Sequence, residues 1–175
     1  MTYKESVIEA MGWLGDKPDT LFLGQTVGCP GSYMYGSLER VPVEKRIELP
    51  VAEEMQLGMT LGLALEGYVP VSIYPRIDFL ILAVNQLVNH LDKIKVMSDG
   101  KMMPSIIIRT STGPTEPLNG GPQHTQRHTR ALRAMLTTVF VVELRDVAFQ
   151  IILNAYKMAY ESGGIWLFVE EGALY

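Results

Sequence analysis

Cysteine is almost absent from this chain, with a single residue, Cys29, among 175. One cysteine cannot form an internal disulfide framework, so a reducing compartment such as the cytoplasm is the expected location. Positive charge is also sparse: 15 Lys and Arg stand against 19 Asp and Glu, and no run of five basic residues occurs. Nucleic acid and anionic membrane surfaces are therefore not expected as partners.

Long hydrophobic runs are missing as well. The amino-terminal stretch, MTYKESVIEAMGWLGD, carries charges inside its apolar pattern, which excludes a signal peptide and a membrane span there. Hydrophobic residues nevertheless make up 47% of the chain, and no repeat or low-complexity tract interrupts it. We expect one domain over residues 1–175 with a well-formed core.

Strand-like and helix-like segments alternate along the chain. The predicted strands are 20–24, 46–49, 69–74, 104–109, 138–143 and 165–170, and the predicted helices are 3–15, 50–67, 78–97, 126–136 and 146–161. This alternation predicts an α/β fold: a three-layer, doubly wound, mostly parallel sheet with helices on both faces. Ligands of such sheets bind beyond the carboxyl ends of the strands, where the loops after the predicted strands lie.

The stretch ELPVAEEMQLGMTLGLALEGYVPV contains the first candidate chemistry. Pro50 suits the first turn of a helix, and Gly58 and Gly62 on one helical face predict close packing against another backbone. Glu53 and Glu54 follow in the first turn. They are either acids that complement the helix dipole or, if buried, a group able to exchange protons near neutral pH.

A second candidate region is the long Gly- and Pro-rich loop 110–125, a length that usually indicates function or mobility. His124 lies in it and is interpreted as an active-site donor or as a surface histidine. His124 and His128 have the spacing of two metal ligands on a helix, but no third ligand stands at a suitable spacing, so no metal site is expected. His90 fits a packed or surface position, and Cys29 lacks a paired base.

Several runs in order along the chain carry a family resemblance: LFLGQTVG, ELPVAEEMQLGMTLGLALEGYVPV, DFLILAVNQLVNHLDK, PSIIIRT, GPQHTQ and FVEEGALY. With them the chain resembles the pyrimidine-binding domain of thiamine-diphosphate enzymes. It is most similar to the N-terminal domain of the beta subunit of 2-oxo-acid dehydrogenases of the pyruvate dehydrogenase type, and more distantly to transketolase. The resemblance extends over nearly the whole chain.

The resemblance implies roles for four residues. The family's catalytic glutamate, which bonds the aminopyrimidine ring of thiamine diphosphate and relays a proton there, falls on Glu53. The aromatic residue beside that ring falls on Phe79, and Pro75 lines its other side. The histidine of the substrate-facing loop falls on His124, in GPQHTQ.

The chain also departs from the family pattern at several positions. The acid that follows the first strand's glycine is Gln25 here, and Arg76 and Asp78 make the wall beside the pyrimidine more polar. A Pro-Gly pair is replaced around Thr137, and a proline after the fifth strand by Glu143.

Two family features are not found in the sequence. The Gly-Asp-Gly motif with a following asparagine, which holds Mg²⁺ and the diphosphate, is absent, and so is the C-terminal domain of transketolase type. The resemblance therefore implies a separate subunit that carries the diphosphate and magnesium domain, in an α2β2 heterotetramer. The expected activity is that of a 2-oxo-acid dehydrogenase or decarboxylase subunit. A transketolase-like carboligase subunit and a non-catalytic regulatory domain are the alternatives.

Overall fold

The computed structural model describes residues 1–116, 119–145 and 148–175. The strands are β1 (Thr20–Gly24), β2 (Arg46–Glu48), β3 (Val69–Tyr74), β4 (Ile106–Thr112), β5 (Phe140–Leu144) and β6 (Ile165–Glu171). The α-helices are α1 (Tyr3–Gly15), α2 (Glu53–Leu65), α3 (Ile77–Leu80), α4 (Ile94–Met97), α5 (Thr129–Met135) and α6 (Phe149–Ser162).

The six strands form one sheet in the order β2-β1-β3-β4-β6-β5, and every pairing is parallel. The predicted α/β sheet is confirmed. Every residue of β3, β4 and β6 is buried, which is why these segments consist mainly of β-branched and other large apolar residues.

Helices cover both faces of the sheet. On one face, α1 and α6 pack over the alternate strand residues Val71, Ile107 and Phe168. On the other face, α2, α3 and α5 enclose a second core that contains Ile106, Ile108 and Leu167. Because successive residues of a strand point to opposite faces, each central strand contributes to both cores. The result is the predicted three-layer arrangement.

The crevice of the sheet lies between β1 and β3. The connection that leaves β1 contains a 3₁₀ segment, Tyr33–Leu38, which packs with α1 on one face. The connection that leaves β3 enters α3 on the opposite face. Since the two chains diverge to opposite faces beyond the strand ends, a crevice opens there, where ligands of such sheets bind.

The predicted continuous helix over 78–97 is wrong. The structure has the short helix α3, a 3₁₀ turn at Ile81–Ala83, a π-helical segment at Gln86–Leu91 and then α4. Changes of helical period rotate the side chains around the axis, so the α-helical pattern fails at Ile81, which is 45% exposed instead of buried.

Two expectations for the stretch around α2 are also corrected. Pro50 lies outside the helix, which begins at Glu53 after the N-cap residue Ala52. Gly58 and Gly62 meet no neighbouring backbone: a methyl group at Gly58 would reach Oε1 of Gln86 at 4.0 Å, and one at Gly62 would have open space. The two glycines therefore do not serve close packing within this chain.

Other boundaries shift by a few residues. Strand β4 begins two residues later than predicted and continues to Thr112, so the loop that follows begins at Gly113. Helix α5 is shorter than the predicted 126–136, and β5 starts at Phe140 instead of residue 138. The first two residues of the predicted helix 146–161 lie outside the described residues.

Within the described ranges, no helix is both long enough and apolar enough to cross a membrane.

Candidate active site

Glu53 is the first residue of α2 and is only 6% exposed. Its helical turn is tied to the end of β3 by two side chains. Gln56 donates from Nε2 to the carbonyl of Ile73 over 3.0 Å, and the Tyr74 hydroxyl donates to the carbonyl of Glu53 over 3.1 Å. These contacts fix the carboxylate of Glu53 at the carboxyl edge of the sheet, beside the β1–β3 crevice.

The carboxylate of Glu53 has one side-chain partner among the described residues. Gln25, directly after β1, places its Nε2 at 3.3 Å from Oε1 of Glu53. Glu54 is different: it is exposed, and its carboxylate accepts from Nδ2 of Asn85 over 2.9 Å. The two neighbouring acids of the sequence therefore divide into a buried one facing the crevice and a solvated one on the helix surface.

Sequence reasoning noted Gln25 only as a departure from a family pattern and did not connect it to Glu53. A signal was present, since both residues were predicted just beyond the carboxyl ends of strands. In a parallel sheet such positions meet at one edge. What the sequence did not reveal is that β1 lies next to β3, so that Gln25 faces the turn held by Tyr74.

Pro75 and Phe79 lie on the segment that follows β3. Pro75 is buried, and its carbonyl accepts from Oγ of Ser111 over 2.8 Å. Phe79 is half-buried and packs edge-on against the ring of His124, with ring centroids 5.5 Å apart. The structure therefore brings Phe79 and His124 together, and it places Pro75 on the same segment.

His124 is held by its backbone as well as its ring. Arg76 donates from Nη1 to the His124 carbonyl over 2.9 Å. A side chain at Gly113 would collide with that carbonyl oxygen, and one at Gly120 would come within 2.9 Å of the His124 Cβ. The glycines of this loop are therefore needed so that it can fold closely over Arg76 and present the His124 side chain.

His124 and His128 have a spacing that would suit one helical face, but the structure does not place them on one helix. His124 lies in the loop, whereas His128 is the N-cap residue of α5. In the part of the chain that the structure describes, no three His, Cys, Asp or Glu side chains are arranged to hold a metal ion.

Glu48 is a carboxylate whose role sequence reasoning missed. It accepts hydrogen bonds from the backbone N–H groups of Thr26, Val27 and Gly28 over 2.7, 2.8 and 2.7 Å. It thereby fixes the loop after β1, and it is fully engaged by this structural task. Cys29 follows in the same loop and is exposed.

Comparisons with known proteins identify relatives of this chain. The pyruvate dehydrogenase E1 component subunit beta of Chaetosphaeridium globosum is 33% identical over 113 residues, which is 63% of this chain and 34% of that protein. The 2-oxoisovalerate dehydrogenase subunit beta of Bacillus subtilis is 27% identical over 139 residues, 77% of this chain and 41% of that protein. The chain is a relative of these beta subunits. It matches only about a third to two fifths of their length. No protein-family model matches the sequence.

Two solved structures that share this fold are transketolases. One is described as a split gene transketolase in an inactive beta4 tetramer; it matches with a TM-score of 0.71 and 18% identity, over 98% of this chain and 52% of that one. The transketolase of Campylobacter jejuni matches with a TM-score of 0.71 and 16% identity, over 97% of this chain and 25% of that one. At these identities the likeness shows the fold alone. This chain therefore has the α/β fold that its sequence predicted.

Proposed function

We propose that this chain is the pyrimidine-binding subunit of a split thiamine-diphosphate enzyme that acts on a 2-oxo acid, by decarboxylation with acyl or aldehyde transfer. The observation that carries the proposal is the position of Glu53. A carboxylate that is 6% exposed lies in the first turn of α2, at the ligand-binding edge of a parallel sheet. The relatives of this chain are named as dehydrogenase beta subunits, which supports an enzyme that acts on 2-oxo acids.

The residues present fit an aminopyrimidine ring. Such a ring needs a carboxylate beside one ring nitrogen and apolar groups along its faces. Glu53 offers a buried carboxylate, and among the described side chains only that of Gln25 hydrogen-bonds to it. Phe79 offers a half-buried aromatic ring, and the buried Pro75 lines the same segment. The chain therefore contains both kinds of group that binding the pyrimidine end requires.

Each residue then has a distinct task. When bound, thiamine diphosphate supplies the electron sink for breaking a bond next to a carbonyl group. Glu53 holds a proton between its carboxylate and the ring nitrogen, and Gln25 orients that carboxylate by donating to Oε1. Phe79 and Pro75 flank the ring. His124, at the end of a loop that folds over the same edge, faces the substrate and acts as a proton donor.

We further propose that Mg²⁺ and the diphosphate are held mainly by a separate subunit, in an α2β2 heterotetramer. The surface of α2 supports such an association, because several large apolar side chains there and on the following 3₁₀ turn are exposed. They are Met55 (48%), Met59 (37%), Leu65 (44%) and Leu82 (63%). Gly58 and Gly62 lie on the same helix and have no close packing among the described residues. We therefore assign this surface of α2 to the subunit contact.

A transketolase-like carboligase is the second candidate, because transketolases share the fold of this chain. The two reactions differ in what accepts the transferred group: an oxidant or acyl carrier for the dehydrogenase class, and an aldehyde for the carboligase class.

A location in the cytoplasm stays a prediction from the single cysteine.

The decisive experiment is reconstitution with a chain that carries the Gly-Asp-Gly motif and its following asparagine. The co-purified pair, loaded with thiamine diphosphate and Mg²⁺, should release CO₂ from a panel of short 2-oxo acids, and light scattering should give the mass of two copies of each chain. Ketol transfer between sugar phosphates without CO₂ release would instead select the carboligase. A pair inactive in both assays would contradict the enzyme proposal.

A further inference from the structure

Asp78 is a buried carboxylate to which the proposed function gives no role. It lies in the first turn of the short helix α3, directly before Phe79, and its side chain is 4% exposed. Within the described residues, neither Oδ1 nor Oδ2 has a hydrogen-bond partner. Carboxylates out of contact with water are nearly always hydrogen-bonded, so an unpartnered one points to a role outside stability.

The nearest charged or basic group facing Asp78 is His128. Its Nε2 lies 3.8 Å from Oδ1 of Asp78 and is itself buried without a partner in the described chain. The distance is about 1 Å longer than that of an ordinary hydrogen bond, so a small rotation of either side chain would bring the two groups into hydrogen-bond contact. The carboxylate of Asp78 thus lacks a hydrogen-bond donor and faces Nε2 of His128, a buried nitrogen that can donate but lacks an acceptor.

The pair joins the same two segments that hold His124. Arg76 donates to the His124 carbonyl, and Phe79 packs on the His124 ring. Asp78 lies between them in sequence and faces His128, four residues after His124. The segment 76–79 therefore contacts the segment 124–128 at three successive points, one from the backbone side, one through the ring and one through a carboxylate and an imidazole.

We propose that Asp78 is a positioning residue: its carboxylate accepts the Nε2–H of His128 and so fixes the histidine loop, residues 119–128, over the site. His128 is thereby held with its hydrogen on Nε2, as carboxylates hold imidazoles in other sites. The expected consequence for turnover rests on the proposed function, because it acts through His124. The contact itself does not, and it can be tested in the isolated chain.

The stability of the fold and the position of the histidine loop should respond differently to the loss of Asp78. Asp78→Leu removes the desolvation cost of a buried carboxylate but also leaves Nε2 of His128 without its acceptor, so the two effects oppose each other and the net change in the free energy of unfolding should be close to zero. A residue kept only for packing would show a loss. A residue kept to place a loop would show nearly unchanged stability together with a looser loop.

The experiment compares Asp78→Leu and Asp78→Asn in the full chain labelled with ¹⁵N. In the unaltered protein, the imidazole nitrogen shifts of His128 should report the hydrogen on Nε2. Asp78→Asn keeps an acceptor oxygen and should retain that pattern. Asp78→Leu should lose it, should accelerate amide hydrogen exchange in residues 119–128 about tenfold, the ratio that one net hydrogen bond represents, and should leave the melting temperature nearly unchanged.

A second pair of variants tests the contact from the other side. His128→Gln places an amide donor near the position of Nε2 and should keep slow exchange in the histidine loop, whereas His128→Leu should not. The exposed His90, replaced by Leu, serves as the matched control and should leave the loop unaffected. If both leucine variants leave loop exchange as it was, and Asp78→Leu also leaves the His128 nitrogen shifts unchanged, the assignment is wrong.

The outcomes separate this proposal from the proposed function. Loop exchange, nitrogen shifts and melting temperature are measured without cofactor, substrate or partner. In the reconstituted enzyme, Asp78→Leu should in addition lower kcat by up to about 100-fold, the effect of misplacing a reacting group by 1 Å, and leave KM for the cofactor within a few-fold. Altered loop exchange in a protein without activity would support Asp78 as a positioning residue and contradict the enzyme.

Discussion

Gln25 donates a hydrogen bond from Nε2 to Oε1 of Glu53 across 28 positions of sequence, over 3.3 Å. The two residues follow β1 and β2, and they meet because both strands end at the same edge of the sheet. Gln25 engages one oxygen of the carboxylate, and no other side chain among the described residues bonds to that carboxylate. This arrangement makes Glu53 the residue whose replacement is most informative.

Glu53→Gln should lower proton exchange at the thiazolium carbon of the bound cofactor by roughly 10²- to 10⁴-fold, the usual contribution of a positioned acid–base group. The amide keeps the size and one acceptor oxygen but cannot relay a proton. The measurement is hydrogen–deuterium exchange followed by NMR in the reconstituted enzyme.

Glu54→Gln is the matched control for that measurement. Glu54 is the next residue of the same helix, but its carboxylate is exposed and bonds to Asn85. Its replacement should leave exchange nearly unchanged. Equal exchange rates in Glu53→Gln and the unaltered protein would remove the catalytic assignment of Glu53.

His124→Ala should reduce turnover while the affinity for thiamine diphosphate changes by no more than a few-fold. Arg76 holds this loop through the backbone carbonyl of His124, a bond that survives loss of the side chain. Steady-state kinetics with cofactor titration checks this, with His90→Ala as the control because His90 is exposed on another segment. Loss of the cofactor from His124→Ala would show that the histidine is structural.

The isolated chain should bind thiamine diphosphate only weakly, and Mg²⁺ should not improve binding. The described residues contain no cluster of ligands for a metal ion, and the diphosphate charge needs such an ion or basic groups. Isothermal titration calorimetry, with and without Mg²⁺, measures this. Submicromolar, magnesium-dependent affinity without a second chain would contradict the division of the site between subunits.

Asp92→Asn should destabilise the fold. The Asp92 side chain is buried and accepts from the backbone N–H groups of Thr137, Thr138 and Val139 over 2.9, 2.7 and 3.1 Å. Burial alone would raise the pKa of Asp92, but hydrogen bonds from Lys93, Thr138 and Thr137 outweigh it and place the pKa below its ordinary value. We expect a loss of about 1–3 kcal/mol in the free energy of unfolding at pH 7, measured with urea.

The pH dependence of that loss follows from the sign of the shift. A depressed folded-state pKa stabilises the protein fully above the unfolded-state pKa of about 3.9, and this contribution is lost as the pH falls from there through the lower folded-state pKa. The stability difference between the unaltered protein and Asp92→Asn should therefore be largest near neutral pH and shrink progressively below about pH 5. A difference that is constant over this range would contradict the role of the ionised carboxylate.

Arg109→Met should cost about 3–5 kcal/mol, because it leaves Glu170 as an unpaired charge in the core. Arg109 contacts Glu170 through Nε at 2.8 Å and Nη2 at 2.9 Å, both side chains are fully buried, and the hydroxyls of Tyr156 and Tyr175 also donate to Glu170. Urea unfolding measures the cost.

The exposed pair of Arg133 and Glu143, 3.8 Å apart, provides the control for the buried pair. Arg133→Met should change the free energy of unfolding by less than about 1 kcal/mol. Similar losses for Arg109→Met and Arg133→Met would show that the buried pair does not stabilise the core in the way proposed.

The sequence by itself determined the order of strands and helices, the parallel sheet and the first turn of α2 that carries Glu53. Local patterns suffice for these features, because burial of β-branched runs and the 3.6-residue repeat act within a few positions. It also placed His124 in a loop at the carboxyl edge. It did not determine the break of the helix after Leu80, where 3₁₀ and π turns replace the expected α-helix.

Only the tertiary structure decided which side chains meet. It separated Glu53 from Glu54, paired Gln25 with Glu53, and set Asp78 opposite His128. It also left Gly58 and Gly62 without close backbone packing among the described residues. The physical reason is that these relationships depend on which strands are adjacent in the sheet and on how loops fold over its edge, and such contacts join positions far apart along the chain.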